Sequence, residues 1–380
     1  MRVLISRLSI ASHNRSHLGG AERSAINLYS SLSKLSHSPN LATNLSKRTV
    51  GINRVWLPSP YGKFGRLQYI LVFTFMWPYL LFLSLQKRPD TINPQSREDQ
   101  IIFSLLKPLH RRPVVWKDAG DYRYYLHEKH SLFARLLQNL LVKAIRKADY
   151  IYTVTEADRD NMVVFLKSKG LPKEDFKKVV VIPSNIAFAD YSLGSKPIKQ
   201  TSNLVIIGTI VRLHEHKGVQ YLLEAARDLN AKHKNLEFWI VGDGPYRAEL
   251  EALSQGLNNV FFFGQQENIS PYLAGMDIFV QPAEFEGWGR NVKEAMYFSL
   301  PVVGSDVGGI AEQIDDGHTG LLFEPKNVNQ LEKQLNRLIE NGKLRTKLGK
   351  AAHKQAIING DYVDLVKNQI LPLFQKTLKK

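Results

Sequence analysis

Residues 284–295 read EFEGWGRNVKEA, with two carboxylates, Glu286 and Glu294, eight positions apart and Gly287, Gly289 and Arg290 between them. The stretch lies where an apolar run (277–283, DIFVQPA) gives way to a helical pattern (292–300, VKEAMYFSL). Glycines let the backbone approach a ligand, and the amides of the turn 287–291 open a helix whose dipole favours a phosphate. A carboxylate beside a phosphate would repel it, so the two acids point to hydroxyl groups. Glu294 has two acceptor oxygens suited to vicinal ribose hydroxyls, and Glu286 can accept from a second sugar. The charge for a diphosphate comes from another loop. After LVIIG (204–208) the chain reads TIVRLHEHKG (209–218), with Arg212 and Lys217 five apart ahead of a helix. That spacing suits two cations and helix-end amides closing on a diphosphate.

The elements that must position these residues alternate. In the first half, short β-rich runs (2–6, 49–57, 90–93, 113–117, 149–154, 178–183) are separated by helical stretches such as 21–35, 132–148 and 156–170. A polar, turn-rich stretch without period, 185–203, reads as a linker. A second series follows at 204–210, 236–242, 260–264, 277–282, 301–306 and 320–325. Continuous apolar strands alternating with helices predict α/β architecture, two facing Rossmann-like doubly wound parallel-sheet domains. Ligands of such sheets bind beyond the carboxyl ends of the strands, where the glycines and charges fall. The expected domains are 1–184 and 204–360, with a helix in 361–380 returning to the first.

Composition narrows the classes. With 380 residues, 44% apolar and 23% charged, the chain can bury two cores, and the absence of cysteine removes disulfides and thiolate zinc sites. The N-terminal run is interrupted by Arg7 and does not read as a signal peptide. The net charge of +16 resides in the first half: residues 1–199 hold 31 Lys and Arg against 14 Asp and Glu, the remainder 20 against 21. Such a field attracts an anionic membrane surface or a polyanion. Segment 67–86 (LQYILVFTFMWPYLLFLSLQ) approaches the length of a membrane span, but Pro78 and the terminal glutamines favour a buried or membrane-touching helix. The Asp158–Asp160 pair reads as a solvated helix start rather than a metal site.

Taken in order, GGAER (19–23), VVVIPSNI (179–186), RLHEHKG (212–218), VGDGP (241–245), FFG (262–264), EGWGRNVKEAM (286–296) and PVVGSDVGGIAEQI (301–314) resemble a glycosyltransferase of family 4, with the GT-B fold. The resemblance implies a retaining, hexosyltransferase-type enzyme that moves a sugar from a nucleotide-diphosphate sugar to a lipid-linked or polysaccharide acceptor in cell-envelope glycan synthesis. It would be cytoplasmic and peripheral on the inner face of the membrane. Arg212 and Lys217 would hold the diphosphate, Glu294 the ribose, Glu286 the donor sugar, and the backbone at Gly264 and Gln265 the base. Gly208, Gly287, Trp288, Gly289, Arg290 and Asn291 would complete the donor site, and Gly20 in the N-terminal loop would approach the donor phosphates or the acceptor. No metal or other cofactor is implied. One departure concerns the histidine that many members carry after the strand at 113–117: Ala119 stands near that place, which leaves Asp118, Asp121, His127 or the acceptor itself to supply the contact. A catalytically impaired nucleotide-sugar-binding protein of the same fold is therefore the alternative. No nucleic-acid recognition motif accompanies the basic half.

Overall fold

The computed structural model describes residues 1–7, 20–43, 55–56, 67–118, 132–198, 204–358 and 360–379. The chain divides into two compact units, Met1–Ser184 with Tyr362–Lys380, and Asn185–Asp361. Ala119, Asp121 and His127 lie outside the described residues, as do most of 49–57 and residues 199–203.

The first unit runs β1 (Arg2–Arg7), α1 (Gly20–Lys34), β2 (Ser38–Thr43), β3 (Val55–Trp56), α2 (Leu67–Lys87), β4 (Thr91–Pro94), α3 (Arg97–Leu105), β5 (Val115–Lys117), α4 (Leu132–Lys147), β6 (Tyr150–Thr153), α5 (Glu156–Ser168) and β7 (Val179–Val181). Its strands pair in parallel in the orders β3-β2-β1-β4 and β5-β6-β7, and a bridge between Ile92 and Val114 joins the two sets. Val3, Leu4 and Ile5 are fully buried, as expected of a parallel strand covered on both faces. Sequence analysis assigned no strand at 38–43, because SPNLAT lacks an apolar run. Residue-for-residue pairing with β1, from Arg2 opposite Ser38 to Arg7 opposite Thr43, provides the order that propensity does not.

Helix α2 occupies the apolar segment at 67–86. Its Met76, Leu80 and Leu83 join the core beside Ile101 and Ile102. Trp77, Phe82 and Leu85 point outward and are 43%, 55% and 52% exposed. Among the described residues no helix is long and apolar enough to cross a membrane. At the start of α5, Thr155 caps the helix by accepting from the Asp158 amide at 3.0 Å, and Asp158 is buried rather than solvated. The helical segment Tyr362–Leu378 packs on α1, where the Tyr362 hydroxyl lies 3.2 Å from Ser24 Oγ and donates to the Ser24 carbonyl at 3.3 Å.

The second unit runs β8 (Val205–Ile210), α6 (Val219–Lys232), β9 (Leu236–Val241), β10 (Val260–Gly264), β11 (Ile278–Gln281), α7 (Arg290–Tyr297), β12 (Val302–Ser305), α8 (Gly308–Gln313), β13 (Gly320–Phe323), α9 (Val328–Glu340) and α10 (Gly342–Ile357), with shorter helical turns between. One six-stranded parallel sheet has the order β10-β9-β8-β11-β12-β13. The chain builds outward from β8 in one direction, then crosses to β11 and builds in the other. β8 and β11, which pair at Ile207–Ile278 and Gly208–Phe279, therefore flank the point where the order reverses. At such a reversal point the chain leaves adjacent strands toward opposite faces of the sheet, which is where ligands of doubly wound sheets bind.

Candidate functional site

The loops after β8 and β11 carry most of the residues singled out above. After β8 a short 3-10 turn, Glu215–Lys217, ends at Gly218, whose φ of +73° suits glycine. A Cβ at Gly218 would stand 1.8 Å from the Pro282 carbonyl oxygen, so the two loops touch through backbone. The Glu284 amide donates to the His216 carbonyl at 2.9 Å. The His216 ring stacks on Phe285 at 4.5 Å, and His214 stacks on His216 at 5.5 Å. Burial lowers the pKa of both imidazoles, and nearby cations, Arg212 and Lys217 at His214 and Lys217 at His216, lower it further.

Lys217 Nζ donates to Glu286 Oε2 at 2.8 Å, so the phosphate-binding candidate and the sugar-binding candidate are paired with each other. Gln281, fully buried at the end of β11, donates to the same Glu286 oxygen at 3.4 Å. Asn291 donates to Gln281 Oε1 and, at 3.0 Å, to the Ile210 carbonyl, which ties the ends of β8 and β11 to the start of α7. Arg212 is exposed on the same loop. A third loop, after β12, closes on this pair. The Gly309 amide donates to the Gly287 carbonyl at 3.1 Å, and a Cβ at Gly309 would lie 2.4 Å from Trp288 Cα. The indole N–H of Trp288 is buried and has no hydrogen-bond partner among the described residues.

Glu294, one turn into α7, is 7% exposed. Its Oε1 accepts from Arg290 Nε at 2.9 Å and from the Tyr191 hydroxyl at 2.5 Å. Burial alone would lower the Arg290 pKa, but Tyr191 and Glu294 outweigh it and hold the guanidinium charged. Burial and the Glu294 charge hold the Tyr191 hydroxyl protonated. Lys293 beside them has its pKa lowered by burial.

The remaining candidates are distributed differently. Gly264, φ +66°, ends β10 with Arg247 Nη1 3.3 Å from where its Cβ would be, and Gln265 next to it is exposed. Gly208 lies inside β8, where Met276 fills the space of a side chain, so the structure gives it a packing role. Gly20 opens α1 and Asp118 follows β5, both in the first unit. Asp118 is buried, its amide donating to the Tyr152 carbonyl at 2.8 Å, and the neighbouring Lys117 donates to Ser24 Oγ. Sequence reasoning missed Gln281, a polar residue in an apolar strand, and Tyr191, which stands in the stretch read as a linker. The aromatic pair in FADY (188–191), within an otherwise polar run, was the available signal for Tyr191.

Among known proteins, the family model described as Glycosyltransferase Family 4 matches residues 18–186, and that described as Glycosyl transferases group 1 matches residues 195–355. The chain belongs to the family 4 glycosyltransferases, and its fold is GT-B. The α-D-kanosaminyltransferase of Streptomyces kanamyceticus is 28% identical over 243 residues, 60% of this chain and 62% of that one. The N,N'-diacetylbacillosaminyl-diphospho-undecaprenol α-1,3-N-acetylgalactosaminyltransferase of Campylobacter jejuni is 29% identical over 226 residues, 58% of this chain and 56% of that one. The match thus spans less than two thirds of these relatives' lengths. HepE of Anabaena, solved in complex with UDP and glucose, shares the fold with a TM-score of 0.74 at 20% identity, covering 99% of this chain and 100% of that one.

Proposed function

We propose that the protein transfers a sugar from a nucleoside-diphosphate sugar to a glycan or lipid-linked acceptor of the cell envelope, with retention at the anomeric carbon. The observation that carries this reading is the pairing, at the reversal point of the second unit's sheet, of a cation from one loop with a carboxylate from the other, Lys217 Nζ lying 2.8 Å from Glu286 Oε2. In this reading Lys217 and Arg212 hold the diphosphate together with the first amides of α7, and Glu286 accepts from the donor sugar. Glu294 reads the ribose, and the backbone at Gly264 and Gln265 meets the base. Gly20 and Asp118 belong to the acceptor-binding unit.

Chemically, the bond from the anomeric carbon to the diphosphate oxygen breaks, and a bond to the acceptor hydroxyl oxygen forms on the same face. The acceptor proton passes to the departing diphosphate. Negative charge grows on that leaving group, and fixed cations aimed at developing charge are commonly the largest catalytic contribution. The two cations do this without a metal being assigned. A uridine nucleotide is the first donor to test, because the Anabaena relative was solved with UDP, and the Campylobacter relative's name supports a polyprenyl-diphosphate-linked acceptor. The outward Trp77, Phe82 and Leu85 of α2, in the basic half of the chain, support attachment to an anionic membrane at its cytoplasmic face.

Thermal unfolding with a panel of nucleoside diphosphates and nucleotide sugars tests the donor reading, since a ligand at about 100 times its dissociation constant adds about 2.7 kcal/mol. A raised midpoint with one base is expected, followed by transfer with retained configuration in the product's NMR spectrum. A midpoint unmoved by every nucleotide would overturn the proposal.

A further inference from the structure

Segment 185–198 stands between the two series of strands and has the composition of a linker, yet it is seated on the second unit. Phe188 lies flat on Tyr297 at 4.6 Å and 6°, at the end of α7. Tyr191 meets Tyr297 and Phe298 edge-on at 6.2 and 6.4 Å. The Ser192 amide donates to Ser270 Oγ at 3.2 Å. This seating delivers the Tyr191 hydroxyl, on a residue 9% exposed, to Glu294.

The contacts there form a closed set. Tyr191 Oη donates to Glu294 Oε1 at 2.5 Å and accepts from Arg290 Nη2 at 2.9 Å, while Arg290 Nε donates to that same Oε1 at 2.9 Å. Arg290 Nη2 also reaches Asp190 Oδ2 at 3.2 Å, so adjacent residues of the segment grip both ends of the pair. Oε1 thereby accepts two hydrogen bonds, one of them from a cation. A carboxylate oxygen has room for about two, so Oε1 is filled. That fixes the carboxylate plane, and Oε2 accepts no hydrogen bond among the described residues.

We infer that Tyr191, supported by Arg290, is a positioning residue that locks Glu294 to present a single oxygen, Oε2, to the hydroxyls of the bound nucleotide's ribose. The inference rests on the ribose role proposed for Glu294. Arg290 additionally neutralises Glu294, so that a carboxylate can stand near a diphosphate without repelling it. The segment joining the two series of strands is thus part of the nucleotide site.

The test uses the whole chain and four ribonucleoside diphosphates, of uracil, adenine, guanine and cytosine. The tightest binder is then compared with its 2′,3′-dideoxy analogue by calorimetric titration. Wild type should favour the ribose form, and Glu294→Gln should erase most of that preference. Tyr191→Phe, which keeps the ring and its packing, should weaken the ribose form about fivefold to tenfold, in the range of one lost hydrogen bond, and leave the dideoxy form within about twofold. Added to Glu294→Gln, it should change nothing further. If Tyr191→Phe weakens both forms equally, Tyr191 is only packing and the inference fails. If it leaves both unchanged while Glu294→Gln loses the preference, the inference fails and the ribose reading stands. A wild type without any preference, or without saturable binding of any of the four, overturns the ribose reading and the inference together. Equal unfolding midpoints of wild type and Tyr191→Phe confirm that the variant compared is folded.

Discussion

Replacing Lys217 by alanine separates two effects that the structure joins. Lys217 Nζ lies 2.8 Å from Glu286 Oε2, and the side chains are 20% and 17% exposed. Without the lysine, the Gln281 amide at 3.4 Å is the remaining side-chain hydrogen-bond donor to Glu286 among the described residues. In the proposed donor site the uncompensated carboxylate would then face the diphosphate. At about 5 Å and an effective dielectric constant of about 20, that repulsion is on the order of 3 kcal/mol per pair of charges, and less where water enters. The same substitution removes a cation aimed at charge that grows as the glycosidic bond breaks, a loss of about 2.7–4 kcal/mol, or 100-fold to 1,000-fold in turnover. The first effect weakens nucleoside-diphosphate binding; the second lowers kcat. Adding Glu286→Gln removes the repulsion, so the double variant should regain much of its affinity for the nucleoside diphosphate while turnover stays low. Titration with the nucleoside diphosphate that raises the unfolding midpoint gives the first quantity, and initial rates of nucleotide release at saturating donor give the second. An unchanged kcat in Lys217→Ala, or a kcat restored along with affinity in the double variant, would refute the assignment.

Gly218→Ala puts a Cβ 1.8 Å from the Pro282 carbonyl in a left-handed conformation, forcing the loops after β8 and β11 apart, so nucleotide binding should weaken at least tenfold; unaltered binding would detach those loops from the site. Burial, with the charge of Asp99, raises Glu98 to about 6 from an ordinary 4.5. Its charged form therefore costs the fold about 2 kcal/mol above pH 6, a cost relieved as pH falls from 6 to 4.5. Glu98→Gln should raise the unfolding midpoint of its unit by about 4–8 °C at pH 7.5 and by little at pH 4.5, and equal gains at both pH values would contradict the burial effect. The chain should sediment with anionic but not neutral vesicles at 0.1 M salt and detach toward 1 M, where the screening length falls from ~10 to ~3 Å; Trp77→Ser with Phe82→Ser should weaken the pelleting, and recovery in the supernatant under all conditions would sink the membrane reading.

The strands of the second unit are legible because both faces are covered. LVIIGTI and LEFWIVG are largely apolar runs, and every residue of β9 is buried. In the first unit β2 was not legible, since Pro39 and Asn40 obscure an apolar pattern that only pairing with β1 makes sense of. The candidate site was legible as residue types at strand ends, where glycine, lysine and glutamate are conspicuous. Its internal pairing was not. Lys217 and Glu286 are 69 residues apart and Tyr191 and Glu294 103, and both contacts depend on which strands become neighbours. Residues 185–198 read as a linker because one aromatic pair has no period, and its order comes from the rings of Tyr297 and Phe298.

The first unit is discontinuous in the chain, and this sets a schedule for its synthesis. Val366, Ile370 and Phe374 are buried, and Tyr362 bonds to Ser24, but they follow Ser184 only after the whole of the second unit. At roughly 5–20 residues per second, a ribosome makes the intervening stretch in roughly 10–40 s. During that interval Ala25, Leu28 and Leu32 of α1 emerge before Tyr362–Leu378 exists to pack on their helix. The second unit, being continuous, can complete its sheet meanwhile. The nascent first unit therefore waits with an uncovered apolar surface, a natural place for a chaperone to hold the chain until its closing helix arrives.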